Sequence, residues 1–279
     1  MTKSETVPSI SIIIPANNEA GFIDACLQTL LDQDDACAYA EIIVSANACS
    51  DDTVLRANAY MPRFAARGWL LQVLDSDEPG KLGALNRAQM HATAKALAFL
   101  DADVLCDPDL VGQLAQALDT DTPLYASGTF ALQPARTWVS RQYGRFWMEL
   151  PFMKSGAVGA GLFAMNQAGR ARWGEFPDII SDDTFVRLMF TPQERIEVPA
   201  RYHWPLVEGF ARLVRVRRRQ NAGVQELETL YPAIMKNENK PESSIAKLAL
   251  KMPVAFTVYA AVQLVVKLTG PDKKWTRGR

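Results

Sequence analysis

Short apolar runs that alternate with helix-forming segments constrain the fold of this chain more than any other feature of its sequence. Three runs of strand length occur at residues 9–14, 41–45 and 69–74, and a segment that predicts a helix follows each one. A fourth run begins at Ala96. Strands that alternate with helices in this way form a mostly parallel sheet covered by helices. The sequence therefore predicts an α/β fold.

Two carboxylates stand at the end of the fourth run, residues 96–104. Asp101 and Asp103 are two positions apart, so in a strand their side chains point to the same side. Open α/β sheets bind ligands at the carboxyl ends of their strands, and Mg²⁺ or Mn²⁺ binds carboxylates together with substrate phosphates. In isolation a solvated acidic turn explains the pair better. The remaining motifs reverse that preference and favour a metal–diphosphate site.

Polar residues also follow the first three predicted strands. The turn Pro-Ala-Asn-Asn-Glu follows the first at residues 15–19, and Asn47 follows the second, where its amide offers a base edge one donor and one acceptor. Lys81 lies at a loop-to-helix junction, where a cation and free backbone N–H groups can both meet phosphate. A plain strand-to-helix turn and a surface lysine are the alternatives.

The second half of the chain contributes a small-residue loop, an acidic pair and a basic stretch. The glycines of residues 156–161 indicate a backbone that approaches a ligand closely. Asp182 and Asp183 open a predicted helix, and helix capping explains only one of two adjacent carboxylates. The basic stretch either binds phosphate bidentately or forms a solvated face, with the two interpretations evenly balanced. Its members are Arg212, Arg215, Arg217, Arg218 and Arg219.

The overall composition is that of an ordinary globular enzyme. The 279 residues are 48% hydrophobic and carry a formal net charge of −1, so the general basic signature of a nucleic-acid-binding protein is missing. The first eight residues lack the apolar core of a signal peptide. The four cysteines show no metal-ligand spacing, which favours reduced thiols in a cytoplasmic protein.

The last segment of the chain has a different character. Residues 236–244 are polar and are predicted to form a linker, whereas residues 245–268 are mostly apolar. The apolar stretch between Lys251 and Lys267 is shorter than the roughly 20 residues that a spanning helix needs. An in-plane helix on an anionic membrane surface is predicted. The alternatives are a tilted span of a thinned bilayer and packing on the catalytic domain or a second subunit. The supporting interfacial residues are Lys273, Lys274, Trp275, Arg277 and Arg279.

Taken in order, these motifs resemble those of the inverting family 2 glycosyltransferases, which have the GT-A fold. The resemblance covers about residues 9–225. It depends on the order of all the motifs along the chain, because no single motif is specific to the family. Its first part comprises residues 11–19, 41–44 with Asn47, 49–53, Gly80 and Lys81 with 84–86, and 99–103. Residues 159–161 and 181–183 continue it.

The resemblance implies a role for each motif. A nucleotide-sugar, with a UDP-sugar as the first choice, is expected to contact Pro15, Ala16, Asn17, Glu19, Asn47, Lys81, Asp101, Arg218 and Arg219. A divalent ion, Mn²⁺ or Mg²⁺, is expected on Asp101 and Asp103. Asp183 is expected to be the general base, with Asp182 in the place of the family's usual Glu. The acceptor is expected beside Gly159, Ala160 and Gly161.

The resemblance also implies a domain plan and a reaction. Residues 1–235 would form the GT-A domain, with a nucleotide-sugar half to about 125 and an acceptor half from 126, followed by a linker and a membrane-associating helix at 236–279. The expected acceptor is a glycan or lipid-linked hydroxyl compound of bacterial surface polysaccharide assembly, at the inner face of the cell membrane. Ala46 replaces an Asp found in many members. Gln220 follows Arg219 where processive members have Trp, which favours transfer of one sugar.

Other classes of protein remain as alternatives at this stage. A nucleotidyltransferase also needs metal-binding carboxylates, but residues 15–19 lack its Gly-rich basic loop. An NAD-dependent oxidoreductase would need Gly-x-Gly-x-x-Gly after the first strand, and that pattern is missing. A non-catalytic nucleotide-sugar-binding protein would have no need of two pairs of carboxylates.

Overall fold

The computed structural model describes residues 7–238 and 245–270. Its strands are β1 (Ile10–Ala16), β2 (Ala40–Asn47), β3 (Leu70–Ser76), β4 (Ala96–Leu100), β5 (Leu105–Cys106), β6 (Tyr125–Leu132), β7 (Leu162–Asn166) and β8 (Arg195–Trp204). The first helices are α1 (Ile23–Leu31), α2 (Thr53–Ala59), α3 (Met61–Arg67), α4 (Lys81–Gln89), α5 (Leu110–Ala117) and α6 (Trp138–Trp147). The later helices are α7 (Gln167–Arg170), α8 (Asp182–Leu188), α9 (Phe210–Leu230), α10 (Pro232–Met235), α11 (Ile245–Lys251) and α12 (Pro253–Thr269).

The strands form one eight-stranded sheet in the order β3-β2-β1-β4-β7-β6-β8-β5. The first four strands of this order are mutually parallel, which confirms the predicted parallel sheet. Strand β7 then pairs antiparallel with both β4 and β6, and β6 runs parallel to β8. The two predicted halves of the catalytic domain therefore share a continuous sheet, joined where β4 meets β7.

The interior strands are buried on both faces, as continuous apolar runs in parallel sheets usually are. Every residue of β2, β4 and β7 is buried. Two hydrophobic clusters flank the sheet, one around Ile12, Leu27 and Tyr202 and the other around Ile13 and Phe185. Because Ile12 and Ile13 alternate along β1, their side chains enter opposite clusters. This burial fixes the strand ends at which the polar motifs lie.

The fourth strand is shorter than the predicted run. Strand β4 ends at Leu100, so Asp101 and Asp103 lie in the turn that follows it and not within the strand. The backbone N–H of Asp101 donates to the carbonyl of Gly161 at 2.9 Å, and that of Val104 donates to Asp101 at 3.1 Å. Pairing with β7 and this tight turn account for the early end of the strand.

The C-terminal segment is a pair of helices and not the single helix expected for residues 245–268. Met252 separates α11 from α12 because Pro253 opens the second helix. Helix α12 packs on α6 and α9, with the ring of Tyr259 4.9 Å from that of Phe146. This observation supports the alternative of packing on the catalytic domain. Among the residues that the structure describes, no helix is long and apolar enough to cross a membrane.

The start of the predicted linker is bound to the catalytic domain. Arg187 donates to both carboxylate oxygens of Glu238, at 3.0 and 2.8 Å, and Asn237 donates to the carbonyl of Leu188 at 2.8 Å. The rest of that segment, residues 239–244, lies outside the described residues. So do the predicted interfacial residues Lys273, Lys274, Trp275, Arg277 and Arg279.

Candidate active site

The turn after β1 and the loop after β2 bind each other through side chains of the predicted donor motif. The Asn17 amide donates to the carbonyls of Asn47 and Ala48, at 2.6 and 3.0 Å. The Asn18 side chain accepts from the backbone N–H of Ser50 at 2.6 Å, and Asn18 itself has φ of 52°. Such positive φ is tolerated by Asn better than by most residues. The donor-side loops are therefore fixed to one another in the folded chain.

Asn47 and Glu19 also take part in this loop framework. Asn47 is buried, and in the amide orientation that satisfies both partners it donates to Ala16 O at 2.8 Å and accepts from Gly80 N at 3.1 Å. The backbone N–H of Glu19 donates to Thr53 Oγ1 at 2.7 Å. Asn47 thus joins the ends of β1 and β2 to the residue before α4. Recognition of a base by its amide stays a prediction.

Lys81, the first residue of α4, connects two motifs, those of Asp101 and Asp182, that are 81 residues apart. Its Nζ lies 3.0 Å from Asp101 Oδ1 and 3.0 Å from Asp182 Oδ2. Burial of the ammonium lowers its pKa, but the two carboxylates outweigh burial and raise the pKa of Lys81 above its usual value. Lys81 is therefore a permanent cation. The cavity around it is lined by Pro15, Lys81, Leu85, Phe99, Asp101, Gly161, Phe163, Asp182 and Asp183.

The second carboxylate of the Asp-x-Asp motif is nearly enclosed. Asp103 is 8% exposed, and its carbonyl accepts from Gln133 Nε2 at 3.0 Å. In the part of the chain that the structure describes, no group of three or more His, Cys, Asp or Glu side chains could hold a metal ion by itself. Mg²⁺ and similar ions often take one or two carboxylates and complete their shell with substrate phosphates and water. Asp101 and Asp103 fit an ion of that kind.

The acidic pair lies in the first turn of α8. Asp182 is 7% exposed, and Asp183 accepts from the backbone N–H of Thr184 at 2.6 Å. Burial, reinforced by the negative charge of Asp182, raises the pKa of Asp183, and the ammonium of Lys81 opposes that rise. A carboxylate whose pKa is raised towards neutrality is a better proton acceptor. The geometry and the charge balance therefore suit a general base at Asp183.

Helix α9 holds the segment that carries this pair, a contact that sequence reasoning missed. A Cβ built on Gly223 would lie 2.1 Å from Ser181 Oγ, so only glycine permits this approach. One turn later Glu226 accepts from the backbone N–H of Ile180 at 2.7 Å. A glycine and a glutamate three residues apart on a helix share a face, but nothing in the sequence indicates their partner.

The glycines of the small-residue loop before β7 allow close contacts within the protein itself. Gly159 and Gly161 both have φ of 76°, a value that favours glycine. A Cβ on Gly159 would lie 1.8 Å from Tyr125 Oη, and one on Gly161 would lie 2.5 Å from Trp204 Cδ1. The close approach is therefore to the protein's own aromatic side chains. Contact of Gly159, Ala160 and Gly161 with an acceptor stays a prediction, although Gly161 lines the cavity.

The two arginines assigned to the donor lie on α9. Arg218 donates to the carbonyl of Gly270 at 2.7 Å and to that of Thr269 at 3.3 Å, at the C-terminal end of α12. Cations at such an end also interact favourably with the helix dipole. Arg219 is partly exposed and stands one turn before Gly223. The structure thus gives Arg218 a role in anchoring α12, and phosphate binding by either arginine stays a prediction.

Asn86 is a further connection between the halves. Its amide oxygen accepts from the backbone N–H of Phe176 at 2.8 Å, and its amide nitrogen donates to the carbonyl of Phe176 at 3.2 Å. Asn86 stands on α4 five residues after Lys81, so this pair of bonds ties the helix that carries Lys81 to the loop leading towards α8.

Comparison with known proteins decides the family. The sequence profile of glycosyl transferase family 2 matches residues 11–176, which is more than half of the chain. This chain belongs to glycosyl transferase family 2. It is 32% identical over 117 residues to the PGL/p-HBAD biosynthesis glycosyltransferase of Mycobacterium bovis, and over 112 residues to the validoxylamine A glucosyltransferase of Streptomyces hygroscopicus. These matches cover 42% and 40% of the chain, and 44% and 26% of the relatives.

Solved structures confirm the GT-A fold expected for this glycosyltransferase. The mannosyltransferase PcManGT of Pyrobaculum calidifontis, solved with GDP-Man and Mn²⁺, superimposes with a TM-score of 0.61 at 21% identity. The match covers 96% of this chain and 77% of PcManGT. TarS 1-349 of S. aureus in complex with UDP gives a TM-score of 0.54 at 14% identity, covering 91% of this chain and 70% of TarS. The chain is thus a member of glycosyl transferase family 2 with the GT-A fold.

Proposed function

We propose that this glycosyltransferase moves one sugar from a UDP-sugar to a hydroxyl acceptor, with inversion at the anomeric carbon and with the help of a divalent ion. The observation that carries the proposal is the cluster around Lys81. It places a carboxylate of the Asp-x-Asp motif and the acidic pair of α8 within reach of one ammonium. A donor diphosphate and an acceptor base are both needed within one small volume, and this cavity supplies groups for each.

The proposed role of each residue in the reaction follows from its charge. Asp101 and Asp103 would hold the divalent ion, which would supply positive charge for the departing nucleoside diphosphate. Lys81 provides a second, permanent positive charge beside the same leaving group. Asp183 accepts the proton of the acceptor hydroxyl as that oxygen attacks the sugar from the face opposite the diphosphate. A single displacement of this kind needs no nucleophile from the protein and inverts the anomeric carbon.

Calorimetry with UDP tests the donor site. Wild-type protein should bind UDP more tightly with Mn²⁺ than without it, and Asp103→Ala should abolish that difference because one of two carboxylate ligands is lost. Asp121→Ala, at an exposed aspartate, is the matched control and should behave as wild type. Unchanged Mn²⁺-dependent affinity in Asp103→Ala would refute the metal assignment. GDP in place of UDP tests the choice of nucleotide, since the neighbour PcManGT was solved with GDP-Man.

The acceptor is proposed to be a lipid-linked glycan reached from a membrane surface. Support comes from an exposed stripe on α12, on the side of the helix away from the buried Val262. The stripe consists of Val254, Thr257, Leu264 and Leu268, which recur at helical spacing. Helix α11 adds exposed Ile245 and Leu250 and has no buried residue. An apolar stripe beside lysines is typical of a helix that lies in a membrane interface.

Flotation with anionic liposomes tests the membrane proposal. The full chain should float with the vesicles, and a chain that ends at Glu242 should not, because it lacks both helices. Neutral liposomes serve as the control for the contribution of lysine charge. Equal flotation of the two chains would show that α11 and α12 only pack on the protein.

A further inference from the structure

A second cavity lies beside the candidate active site, on the side of α6. This α6 groove has a volume of about 520 Å³ and is partly open to solvent. Small-molecule sites commonly enclose about 300–1,000 Å³ and are mainly apolar. Its apolar lining comprises Leu132, Ala135, Gly144, Met148, Leu206 and Met252. The size and lining suit a hydrocarbon group better than a sugar.

One side chain links the groove to the predicted metal site. Gln133 lines the groove, and its Nε2 donates to the carbonyl of Asp103 at 3.0 Å and to that of His203 at 2.9 Å. Its backbone N–H donates to Trp204 O at 2.9 Å. The groove wall and the Asp-x-Asp turn are therefore parts of one hydrogen-bonded unit. A molecule in the groove would have one end next to the donor site.

The edge of the groove carries positive charge. Arg141 and Arg145 are exposed and line it, and Arg141 is held there by donation to the carbonyls of Ala135 and Arg136, at 3.3 and 2.5 Å. The one acidic residue of the lining, Glu149, has its own cation in Lys154 at 3.4 Å. The edge thus favours an anionic group, and guanidinium is well suited to phosphate.

Part of the groove wall comes from the C-terminal helices. Met252, which lines it, is the residue between α11 and α12. Exposed apolar residues stand on either side of it in sequence, Leu250 and Val254. A hydrocarbon chain that leaves the groove at Met252 would therefore meet the apolar surface that we propose to lie on a membrane.

We infer that the α6 groove binds the acceptor through a single hydrocarbon chain, with an anionic phosphate of the same molecule at Arg141 and Arg145. This inference rests on the proposed function and names the chemical class of its acceptor. The polar end of such an amphiphile lies at Gln133, beside the donor site, and its apolar end lies at Met252. The groove therefore selects the acceptor by a part of the molecule that does not react.

Binding of a fluorescently labelled dodecyl phosphate, below its critical micelle concentration, tests the inference on the full chain. Fluorescence anisotropy should show saturable binding of one molecule per chain. Met148→Glu, which places a carboxylate in the apolar lining, should weaken binding at least tenfold. Met148→Leu should retain it, because leucine keeps the apolar volume. Leu55→Glu, at an exposed leucine of α2, is the control for non-specific adsorption and should have no effect.

Two further arms make the result decisive. Met252→Glu, at a lining residue from the C-terminal helices, should also weaken binding tenfold or more. This second variant tests the inference even if Met148→Glu fails to fold. Arg145→Gln should weaken dodecyl phosphate but leave dodecyl maltoside unchanged, whereas inorganic phosphate alone should not bind. Absence of saturable binding by the wild type, or wild-type affinity in both glutamate variants, overturns the inference. Normal Mn²⁺-dependent UDP binding in those same samples would show that the proposed donor site stands independently.

Discussion

Replacing Lys81 with methionine is the most informative single change in this protein. Methionine keeps the length and apolar character of the lysine side chain but removes the charge that lies between Asp101 and Asp182. Three carboxylates, those of Asp101, Asp182 and Asp183, would then share a cavity without this counter-ion. We expect lower stability at neutral pH and slower sugar transfer, because both depend on the same ammonium.

The size of the stability loss follows from the geometry. Two charges 3.0 Å apart at an effective dielectric constant of about 20 attract by about 5.5 kcal/mol before desolvation is counted. The side chains of Lys81 and Asp101 are 35% and 33% exposed, so solvent reduces that pair to about 1 kcal/mol or less. Asp182 is only 10% exposed, and removing the partner of a buried charge costs about 3–5 kcal/mol. The side chain of Lys81 is itself partly exposed, and solvent screening lowers this cost. The free energy of unfolding should therefore fall by about 2–3 kcal/mol.

The loss should depend on pH in a defined direction. A carboxyl group with a raised pKa in the folded protein, such as Asp183, stabilises the fold at acid pH and loses that contribution as pH rises through the folded pKa. Without Lys81 the pKa of Asp183 rises further. The free energy of unfolding of the variant should therefore lie furthest below that of wild type at pH values above that pKa. The difference from wild type should shrink as pH falls towards about 4, the ordinary carboxyl range.

Thermal unfolding at pH 7.5 and at pH 5 measures both effects. Lys95→Met, at an exposed lysine, is the matched control and should unfold as wild type does. At pH 7.5 Lys81→Met should unfold several degrees lower, and the gap should narrow at pH 5. A variant as stable as the control at both pH values would refute the argument that Lys81 carries the charge balance of the site.

Two further changes test the acidic pair and the helix behind it. Asp183→Asn should leave UDP binding near normal while transfer falls about a hundredfold or more, and retained transfer there with loss in Asp182→Asn would exchange the two roles. With Asp183 intact, activity should decline as pH falls through its raised pKa, so the acid limb should lie above pH 4. Gly223→Ala should destabilise by about 1–3 kcal/mol because its methyl group would meet Ser181 Oγ, whereas Gly83→Ala, in open space on α4, should be neutral or slightly stabilising. Denaturant unfolding measures that contrast, and equal effects of the two alanines would contradict it.

The local features of this chain could be predicted because they depend on neighbouring residues. The apolar runs of β1, β2 and β4 are continuous in sequence, and the polar residues after them had to reach the sheet edge once those runs were buried. The same reasoning located the helix that begins at Asp182. Errors arose at the ends of elements, as at Leu100 and Met252, where a turn or a proline overrides the apolar pattern.

Contacts between distant segments could not be predicted in this way. Nothing in the residues around Gly159 indicates that Tyr125 occupies the space beside it, and nothing around Gly223 indicates Ser181. The meeting of Asp101 and Asp182 at Lys81 depends on β7 inserting between β4 and β6, which is a property of sheet order and not of any one segment. Long-range pairing of this kind is visible only in the folded chain.

The connections between the predicted donor half and the predicted acceptor half differ in whether a bound ligand can compete with them. The bond from Asp101 N–H to Gly161 O and the pairing of β4 with β7 use backbone groups that no ligand replaces. The side chain of Gln133 likewise donates to two backbone carbonyls, those of Asp103 and His203. Among these connections, the ion pairs of Lys81 are formed by a charged side chain, and a bound anion competes with them. The arrangement therefore keeps the two halves in register while leaving Lys81 able to respond to the charge of the proposed donor diphosphate.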